Sequence, residues 1–478
     1  MPVRNPILQL DGFSFRFPES AEPTLRDISL AIHEKERVVI TGPSGCGKST
    51  LLYVLNRLYP HNCDGEVSGS VRLFGRSAQE YAPGEANRKI ATVFQDPDSQ
   101  FCMPTVEEEL AFTLENLQVP REEMPQRIDR ILHLTGLGSF RHSVIQTFSG
   151  GMKQRIATAC ALIMEPECLL LDEPLAHLDP LTAKEFVAWL SLLQQETGLA
   201  VVAVEHKLEL WSSFFDREIS LSENGAIQQD QAFTERGAPS LPKRVSAIRQ
   251  EVLFEAVGIS VSKASKALLQ NISLPLRSGE VTVIAGPNGS GKSTLLKVLC
   301  GILKADKGTI SGMRAGFVPQ SPEQLFLSKS VEEELAYSGN SSPDTLHYLM
   351  KALDLKTIAH AHPFSVSHGQ KRRVAIGAML ADGRQVLLLD EPTAGQDQQA
   401  LAELYRQIES RAQDGCALAV VTHDMNFASS IADKVHLMKD GILSGPHQPE
   451  ELFSNSALLA EYRLHMPKKG DIYAPAFA

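Results

Sequence analysis

A glycine-rich segment ending in Lys-Ser-Thr occurs twice in the chain, at residues 42–50 and again at residues 286–294. In such a loop the glycines let successive backbone N–H groups turn toward phosphate oxygens, at the positive end of the following helix. The lysine of each copy, Lys48 or Lys292, can reach the β- and γ-phosphates, and the next serine can ligate Mg²⁺. These residue types at this spacing predict two nucleoside-triphosphate sites.

All residues of both loops are predicted to contribute to ATP binding. Cys46, at a variable position of the first loop, is interpreted as a small filler and not as a redox switch. The loop residues are Gly42, Pro43, Ser44, Gly45, Cys46, Gly47, Lys48, Ser49 and Thr50, and in the second copy Gly286, Pro287, Asn288, Gly289, Ser290, Gly291, Lys292, Ser293 and Thr294.

An Asp-Glu pair follows a run of leucines in each half. The hydrophobic run predicts a buried parallel strand, so the aspartate at its end comes near the bound metal. The glutamate that follows can polarise an attacking water as a general base. The predicted Mg²⁺ ligands are Ser49, Asp172, Ser293 and Asp390, and the predicted bases are Glu173 and Glu391.

A glutamine and a histidine complete each predicted site. The glutamine follows a short β-rich run, where its amide can touch the metal shell and report whether the shell is occupied. The histidine closes another such run, where an imidazole can hydrogen-bond a γ-phosphate. Occurrence at matched places in both halves favours function over chance for Gln95, Gln320, His206 and His423.

The two halves keep register as a diverged duplication. The second phosphate loop begins 244 residues after the first, and Leu25–Leu30 matches Leu269–Leu274 at the same offset. Later motifs match at smaller offsets, which means that the first half carries about 19 extra residues between positions 51 and 95. We expect these to be a difference in loop length between retained elements. Apolar residues after each loop predict a helix, through Leu58 and Ile302 respectively.

Length and composition place the chain among globular proteins with two domains. It has 478 residues, 43% of them hydrophobic and 22% charged, and a formal charge of −11 that disfavours nonspecific nucleic-acid binding. The seven cysteines form no CxxC pair, which argues against zinc or disulfides and favours a reducing cytoplasm. No apolar run is long enough for a membrane span, so any role at a membrane requires partners. We predict domains at 6–236 and 251–465, a linker at 237–250 and a flexible tail at 466–478.

A further motif lies between the phosphate loop and the Asp-Glu pair of each half. It reads Phe-Ser-Gly-Gly-Met-Lys-Gln from Phe148 and Val-Ser-His-Gly-Gln-Lys-Arg from Val366. In this position it resembles the signature of ATP-binding-cassette ATPases. The resemblance covers residues 6–465 and is specific, because six motifs occur in the same order twice. The signature residues it assigns to ATP binding are Ser149, Gly150, Gly151, Ser367, His368, Gly369 and Gln370.

The resemblance implies an α/β fold of two tandem P-loop NTPase domains. Each would have a RecA-like parallel-sheet core, an antiparallel β subdomain and a helical signature subdomain. It also implies a head-to-tail arrangement in which each ATP lies between the phosphate loop of one half and the signature of the other, crossed by loops at 176–179 and 394–397. In the family an aromatic residue about 25 positions before the loop stacks on adenine. Phe17 fits this place, whereas Val261 in the second half has no aromatic face.

Two departures from the family pattern predict active but unequal sites. Met152 stands where the signature usually has glutamine, and His368 replaces a signature glycine. If the backbone at 368 requires a positive φ, the Cβ costs about 1–2 kcal/mol, which weakens the site about tenfold. Alternatively, the histidine adopts the geometry and adds a phosphate donor.

The segment after Gln95 is similar to the acidic segment of ATPases in energy-coupling factor transporters, which import vitamins or transition-metal ions. This resemblance implies two partners, a transmembrane coupling subunit and a membrane substrate-binding subunit, and a place at the cytoplasmic face of the cell membrane. Asp98, Glu107 and Glu108 would meet arginines of the coupling subunit. Acids at this place can also simply complement a helix dipole, and the two roles are compatible. Fused ATPases of this kind resemble those of thiamine-precursor uptake. The alternatives are a ribosome-associated ATPase, disfavoured by the short linker, and a fused sugar-importer ATPase, disfavoured by the acidic segment.

Overall fold

A computed structural model describes residues 6–467 except positions 19, 83, 177, 207, 212–213, 235–240, 264–265, 338, 367, 395 and 397. At 266, 368, 398 and 399 only the backbone is described. The predicted site residue Ser367 therefore lies outside the described residues, as do three residues of the two 176–179 and 394–397 loops. The chain divides into two compact units, residues 1–178 with 182–236, and residues 237–478 with 179–181.

The first half alternates strands and helices. Its elements, in chain order, are β1 (Pro6–Arg16), β2 (Leu25–His33), β3 (Arg37–Thr41), α1 (Lys48–Leu55), β4 (Glu66–Leu73), β5 (Arg76–Ser77), α2 (Glu85–Lys89), β6 (Ile90–Val93), α3 (Val106–Asn116), α4 (Met124–Thr135), α5 (Gly150–Leu162), β7 (Cys168–Asp172), α6 (Pro180–Thr197), β8 (Ala200–Val204), β9 (Arg217–Leu221) and β10 (Ile227–Ala232).

The second half repeats this order, with fewer elements between the helix after its phosphate loop and the strand Gly316–Val318. It contains β11 (Val252–Lys263), β12 (Lys266–Arg277), β13 (Val281–Ala285), α7 (Lys292–Leu299), β14 (Lys307–Gly312), β15 (Gly316–Val318), α8 (Val331–Ala336), α9 (Pro343–Ala352), α10 (His368–Ala381), β16 (Val386–Asp390), α11 (Gln398–Gln413), β17 (Ala417–Val421), α12 (Met425–Ile431), β18 (Lys434–Lys439), β19 (Ile442–His447), α13 (Pro449–Ser454) and α14 (Ser456–Glu461).

Each half is built on a mainly parallel sheet with the same strand order. The order is β6-β7-β8-β3-β9-β10 in the first half and β15-β16-β17-β13-β18-β19 in the second, with the last strand antiparallel in both. A smaller antiparallel sheet accompanies each core, β2-β1-β4-β5 and β12-β11-β14. Three helices lie in sequence between the first two strands of each parallel sheet, α3 to α5 and α8 to α10. The predicted fold class, with its three parts in each half, is confirmed.

The leucine strands pack on both faces, as their continuous hydrophobic sequences predict. In β7, Leu169 and Leu171 join the core beneath the helices, whereas Cys168 and Leu170 join the core shared with the antiparallel sheet. Successive side chains of a strand point to opposite faces, and both faces are covered here. The polar residues at the strand's carboxyl end are thereby held at one edge of the sheet.

Two local expectations differ from the structure. The extra residues of the first half are not a plain loop, because they include β5 and α2. The helix after each phosphate loop ends at Leu55 or Leu299, before the predicted Leu58 and Ile302. The chain turns there at left-handed residues, Arg57 with φ 64° and Gly301 with φ 80°.

The described part of the predicted linker, residues 241–250, packs on the second unit. The side chain of Arg244 is 1% exposed and forms a buried ion pair with Asp433. Its Nε donates to the carbonyl of Ile431 at 3.2 Å, and its backbone N–H donates to Ser430 O at 2.8 Å. This part of the segment is therefore fixed to the domain that follows it.

Candidate functional site

The phosphate loops have backbone geometry that requires glycine. Gly42 and Gly286 have φ of 143° and 152°, and a Cβ would lie 2.6 Å from Leu221 O or 2.0 Å from Met438 O. Gly47, which immediately precedes α1, has φ 99°, and a Cβ there would lie 2.9 Å from Thr24 O. The loops therefore pack closely against neighbouring segments, and only glycine fits at these positions. Backbone N–H groups at the start of the following helix are suited to bind an anion.

The loop lysines fold back in the same way in both halves. Lys48 Nζ donates to the carbonyls of Gly42 and Pro43 at 3.0 and 2.7 Å. Lys292 Nζ donates to Gly286 and Pro287 at 2.7 and 2.8 Å. Burial lowers the pKa of Lys292. Each ammonium group is held by neutral carbonyls at the mouth of its loop, where a phosphate can exchange for them.

A serine and an aspartate lie together beside each loop. Ser49 Oγ donates to Asp172 Oδ1 at 3.0 Å, and Ser293 lies beside Asp390 in the second half. Burial, with repulsion from Glu173, raises the pKa of Asp172 to about 6. Burial also raises the pKa of Asp390 to about 6. Among the described residues, no hydrogen-bond partner is found for Asp390 Oδ1.

The donor set fits Mg²⁺. Hydroxyl and carboxylate oxygens are the ligands this small, hard cation prefers, and phosphate oxygens commonly complete its shell. A buried carboxylate oxygen that the surrounding chain leaves unmatched, as at Asp390, suits a cation that arrives with the nucleotide. Ser49 and Asp172 in the first half, with Ser293 and Asp390 in the second, are the residues that would hold it.

The glutamate after each aspartate has a left-handed backbone. Glu173 has φ 45° and Glu391 has φ 49°, a conformation that is uncommon for residues other than glycine. In the first half, Gln95 Nε2 donates to Glu173 Oε2 at 3.0 Å, and His206 Nε2 lies 3.2 Å from Glu173 Oε1. The three residues predicted from separate strand ends therefore form one cluster.

The second half pairs its glutamate and histidine through different atoms. His423 Nδ1 lies 3.0 Å from Glu391 Oε2, and the His423 backbone N–H donates to the same oxygen at 3.3 Å. Gln320 contributes its backbone to this region, because its carbonyl accepts a hydrogen bond from Arg372 Nη2 at 2.6 Å. Arg372 also donates to the carbonyl of Glu391, and burial lowers the pKa of its guanidinium to about 10.

Sequence reasoning missed three residues that touch these clusters. Tyr53 donates from its hydroxyl to Asp172 Oδ2 at 3.0 Å, and Glu205 accepts hydrogen bonds from the N–H groups of Leu175 and His206. Arg372, in the second half, spans the glutamine and glutamate segments. A clue was present for Tyr53, which lies four residues after Ser49 and so on the same face of the helix. For Arg372 no local signal exists.

The signature segments begin helices in both halves. Ser149 is the N-cap residue of α5, which starts at Gly150, and α10 starts at His368. A Cβ on Gly151 would lie 2.1 Å from Thr182 Cγ2. The first residue of a helix has a negative φ, so the left-handed backbone considered for position 368 does not occur. Of the two alternatives for His368, strain from a positive φ is therefore not found.

Phe17 and its counterpart Val261 are packed differently. Phe17 is partly buried, with its ring edge-on to Phe15 at 4.9 Å and to Tyr59 at 5.9 Å. Val261 is 8% exposed and belongs to the core of the second unit. An aromatic ring is thus present at this place in the first half and lacking at its counterpart.

The acidic segment is paired within its own half. Asp98 forms an ion pair with Lys153 at 2.6 Å, and Glu107 forms one with Arg141 at 2.6 Å. The hydrogen bond to Arg141 lowers the pKa of Glu107, although burial acts in the opposite direction. Glu108 forms a capping box with Thr105 at the start of α3. The structural interpretation of Glu108 as a helix-terminus acid is thereby confirmed.

Two phosphate loops, each facing a carboxylate at a strand end and each followed by a signature helix, define a P-loop ATPase with two cassettes. A family model described as ABC transporter matches residues 25–176 and 269–394. The chain therefore belongs to the ABC transporter family, whose cassettes bind and hydrolyse ATP.

Relatives match over nearly their whole length. YkoD of Bacillus subtilis (strain 168), provisionally named an HMP/thiamine import ATP-binding protein, is 36% identical over 526 residues, covering 98% of this chain and 96% of YkoD. A protein of Sulfurisphaera tokodaii, provisionally named an ABC transporter ATP-binding protein, is 34% identical, covering 94% of this chain and 99% of its own. A solved structure of ribosome-bound archaeal Pelota and ABCE1 has a TM-score of 0.69 at 22% identity, over 94% of this chain and 80% of that one, and shows the fold alone.

Proposed function

We propose that this protein hydrolyses ATP to drive import of a small nutrient through separate membrane subunits, as the ATPase of an energy-coupling factor transporter. The nutrient is a vitamin, a vitamin precursor or a transition-metal ion, and the first candidate is HMP or thiamine. The supporting observation is the 36% identity to YkoD across almost the full length of both chains. No helix among the described residues is both long and apolar enough to cross a membrane. The proposal therefore assigns the transport path to partners.

The chemistry is assigned to matched residues in each half. Lys48 and Lys292 exchange their carbonyl partners for the phosphates, and Mg²⁺, when bound, neutralises phosphate charge. Asp172 and Asp390, with Ser49 and Ser293, hold the metal. Glu173 and Glu391 accept a proton from the attacking water.

The remaining site residues orient the bases. Gln95 and His206 hold the two oxygens of Glu173, and His423 holds one oxygen of Glu391. A base that is fixed at both oxygens keeps one orientation toward the water. The roles of Phe17 and of the two signatures toward ATP stay predictions of the family resemblance.

The acidic segment remains the proposed contact surface for the coupling subunit, although its acids already have partners within this chain. Asp98 and Glu107 are 46% and 30% exposed, so a partner can reach them, but each already has a basic partner. We propose that an arginine of the coupling subunit replaces Lys153 or Arg141. Charge reversal by Asp98→Lys is expected to reduce co-purification of membrane subunits, whereas Asp11→Lys, at an exposed acid on β1, leaves it unchanged.

Transport itself is tested in cells that lack the chromosomal copy. Uptake of labelled HMP or thiamine is expected to be restored by the wild-type protein and not by Glu173→Gln with Glu391→Gln. Restored growth on another vitamin or metal, without HMP or thiamine uptake, would reject the named substrate. Co-purification with ribosomes and not with membrane proteins would reject import as a whole.

A further inference from the structure

The Asp172 carboxylate in the first half is held by two donors. Ser49 Oγ donates to Oδ1 and Tyr53 Oη donates to Oδ2, each at 3.0 Å. Both donors lie on α1, four residues apart, and therefore on one face of that helix. Ser49 is itself a proposed metal ligand, and its oxygen can bind the ion through a lone pair while the hydroxyl still donates to Asp172. Tyr53 has no other proposed role, so its hydroxyl serves only to donate to Asp172.

An aromatic cluster fixes the Tyr53 ring. Its centroid lies 5.4 Å from that of Tyr59, edge-on, and 5.8 Å from that of Phe94. Tyr59 in turn stacks on Phe15 at 5.6 Å and meets Phe17 edge-on at 5.9 Å. Contacts of this geometry are favourable beyond their buried area, so the hydroxyl is held where it can donate to Asp172.

The second half has none of these residues at the matching places. Lys297 replaces Tyr53 on α7, and the positions of the other rings carry aliphatic residues, Ile259, Val261, Leu303 and Pro319. One oxygen of Asp390, Oδ1, has no hydrogen-bond partner within the described ranges. The two carboxylates are therefore held differently, although their own positions and neighbouring serines match.

We propose that Tyr53 is a positioning residue of the first site alone, which orients Asp172 for Mg²⁺ and makes nucleotide binding there more dependent on the metal. This inference rests on the proposed role of Asp172 as a metal ligand. Without the hydroxyl, the buried Oδ2 loses its donor and the carboxylate can rotate away from the ion. The loop and its lysine do not contact Tyr53 through any described hydrogen bond, so binding of metal-free nucleotide does not depend on it.

The test measures metal dependence and not activity. AMP-PNP affinity is measured by calorimetry, with Mg²⁺ and with EDTA, in the full chain carrying Lys292→Ala to weaken binding at the second site. The dissociation constant in EDTA divided by that with Mg²⁺ gives the contribution of the metal. Tyr53→Phe is expected to lower this ratio about tenfold, the size of a hydrogen bond to a charged group, and to leave the affinity in EDTA unchanged. Tyr81→Phe removes a tyrosine hydroxyl that donates to Leu73 O at 2.8 Å and serves as the matched control.

Two further variants separate the possible failures. Tyr59→Leu introduces the residue found at the matching place in the second half and is expected to lower the ratio by a smaller factor. An unchanged ratio would show that the aromatic cluster does not position Tyr53. If Asp172→Asn lowers the ratio and Tyr53→Phe does not, the role of Tyr53 is rejected while the metal site stands. If Asp172→Asn also has no effect, the metal site itself is rejected. Equal loss of affinity in EDTA and with Mg²⁺ after Tyr53→Phe would indicate a merely structural role.

Discussion

Glu173 Oε1 lies 3.2 Å from His206 Nε2, at the ends of two adjacent strands of the parallel sheet. The matching pair in the second half, Glu391 and His423, is 3.0 Å apart but uses the other ring nitrogen, Nδ1. Both glutamates have the same left-handed backbone. Both halves thus keep a contact between this glutamate and a histidine ring, and they differ in its atomic details.

The segment before the second domain contributes to stability through Arg244. Arg244→Ala is expected to destabilise the second unit by about 3 kcal/mol, because the nearly buried Asp433 carboxylate loses its cationic partner. Urea unfolding followed by circular dichroism measures this change. Lys243→Ala, which removes an exposed ion pair with Glu450, is the control and is expected to change little. Equal midpoints for Arg244→Ala and wild type would mean that the segment is only a spacer.

A buried glutamate shapes the loop before the signature subdomain in each half. Glu109 Oε2 accepts hydrogen bonds from the N–H groups of Cys102 and Met103, and Glu334 accepts the two matching bonds from Leu327 and Ser328. Glu109→Ala is expected to cost about 2–3 kcal/mol, because two N–H groups are left without an acceptor.

Glu108→Ala supplies the comparison for this measurement. It removes an exposed capping box, which is worth about 1 kcal/mol. Thermal unfolding of both variants gives the order. If Glu108→Ala proves more damaging than Glu109→Ala, the buried carboxylate does not organise the loop.

Much of the fold and site could be predicted from local patterns. The strand β7 was predictable because a continuous apolar run needs cover on both faces, and Glu173 because it directly follows that strand. The phosphate loop was predictable because its glycines meet a local backbone requirement. In each case the physical cause lies within a few residues of sequence.

Other features depend on contacts between distant segments. Arg372 reaches carbonyls 52 and 19 residues away, at Gln320 and Glu391, and nothing in its neighbours indicates this. The sequence left two alternatives open for the backbone at His368, because the motif alone does not reveal that this residue starts a helix. Composition predicts a linker at 237–250, but it does not show that Arg244 is buried against Asp433, far along the chain.

Glu205 gives the protein a defined pH dependence. Burial, with repulsion from Glu173, raises the pKa of this carboxyl to about 7. Between an ordinary carboxyl pKa of about 4.3 and about 7, the folded protein binds more protons here than the unfolded chain does. This contribution to stability is therefore lost as the pH rises through that window, by at most about 1.4 kcal/mol per pH unit.

Glu205→Gln removes this titration. In urea unfolding, the difference in unfolding free energy between the variant and the wild type is expected to shift in favour of the variant as the pH rises from 5 to 7.5. This holds whatever the difference is at pH 5. Parallel stability curves for the two proteins over this range would show that Glu205 titrates normally.

The most direct test of the account is ATP hydrolysis by Glu173→Gln, Glu391→Gln and the double variant, with ATP binding measured alongside. We predict that the double variant binds ATP but hydrolyses it about a hundredfold more slowly or worse, and that the single variants lose unequal fractions of the rate. A double variant that hydrolyses ATP at the wild-type rate would contradict the assignment of both bases, and equal losses in the single variants would contradict the inequality of the sites.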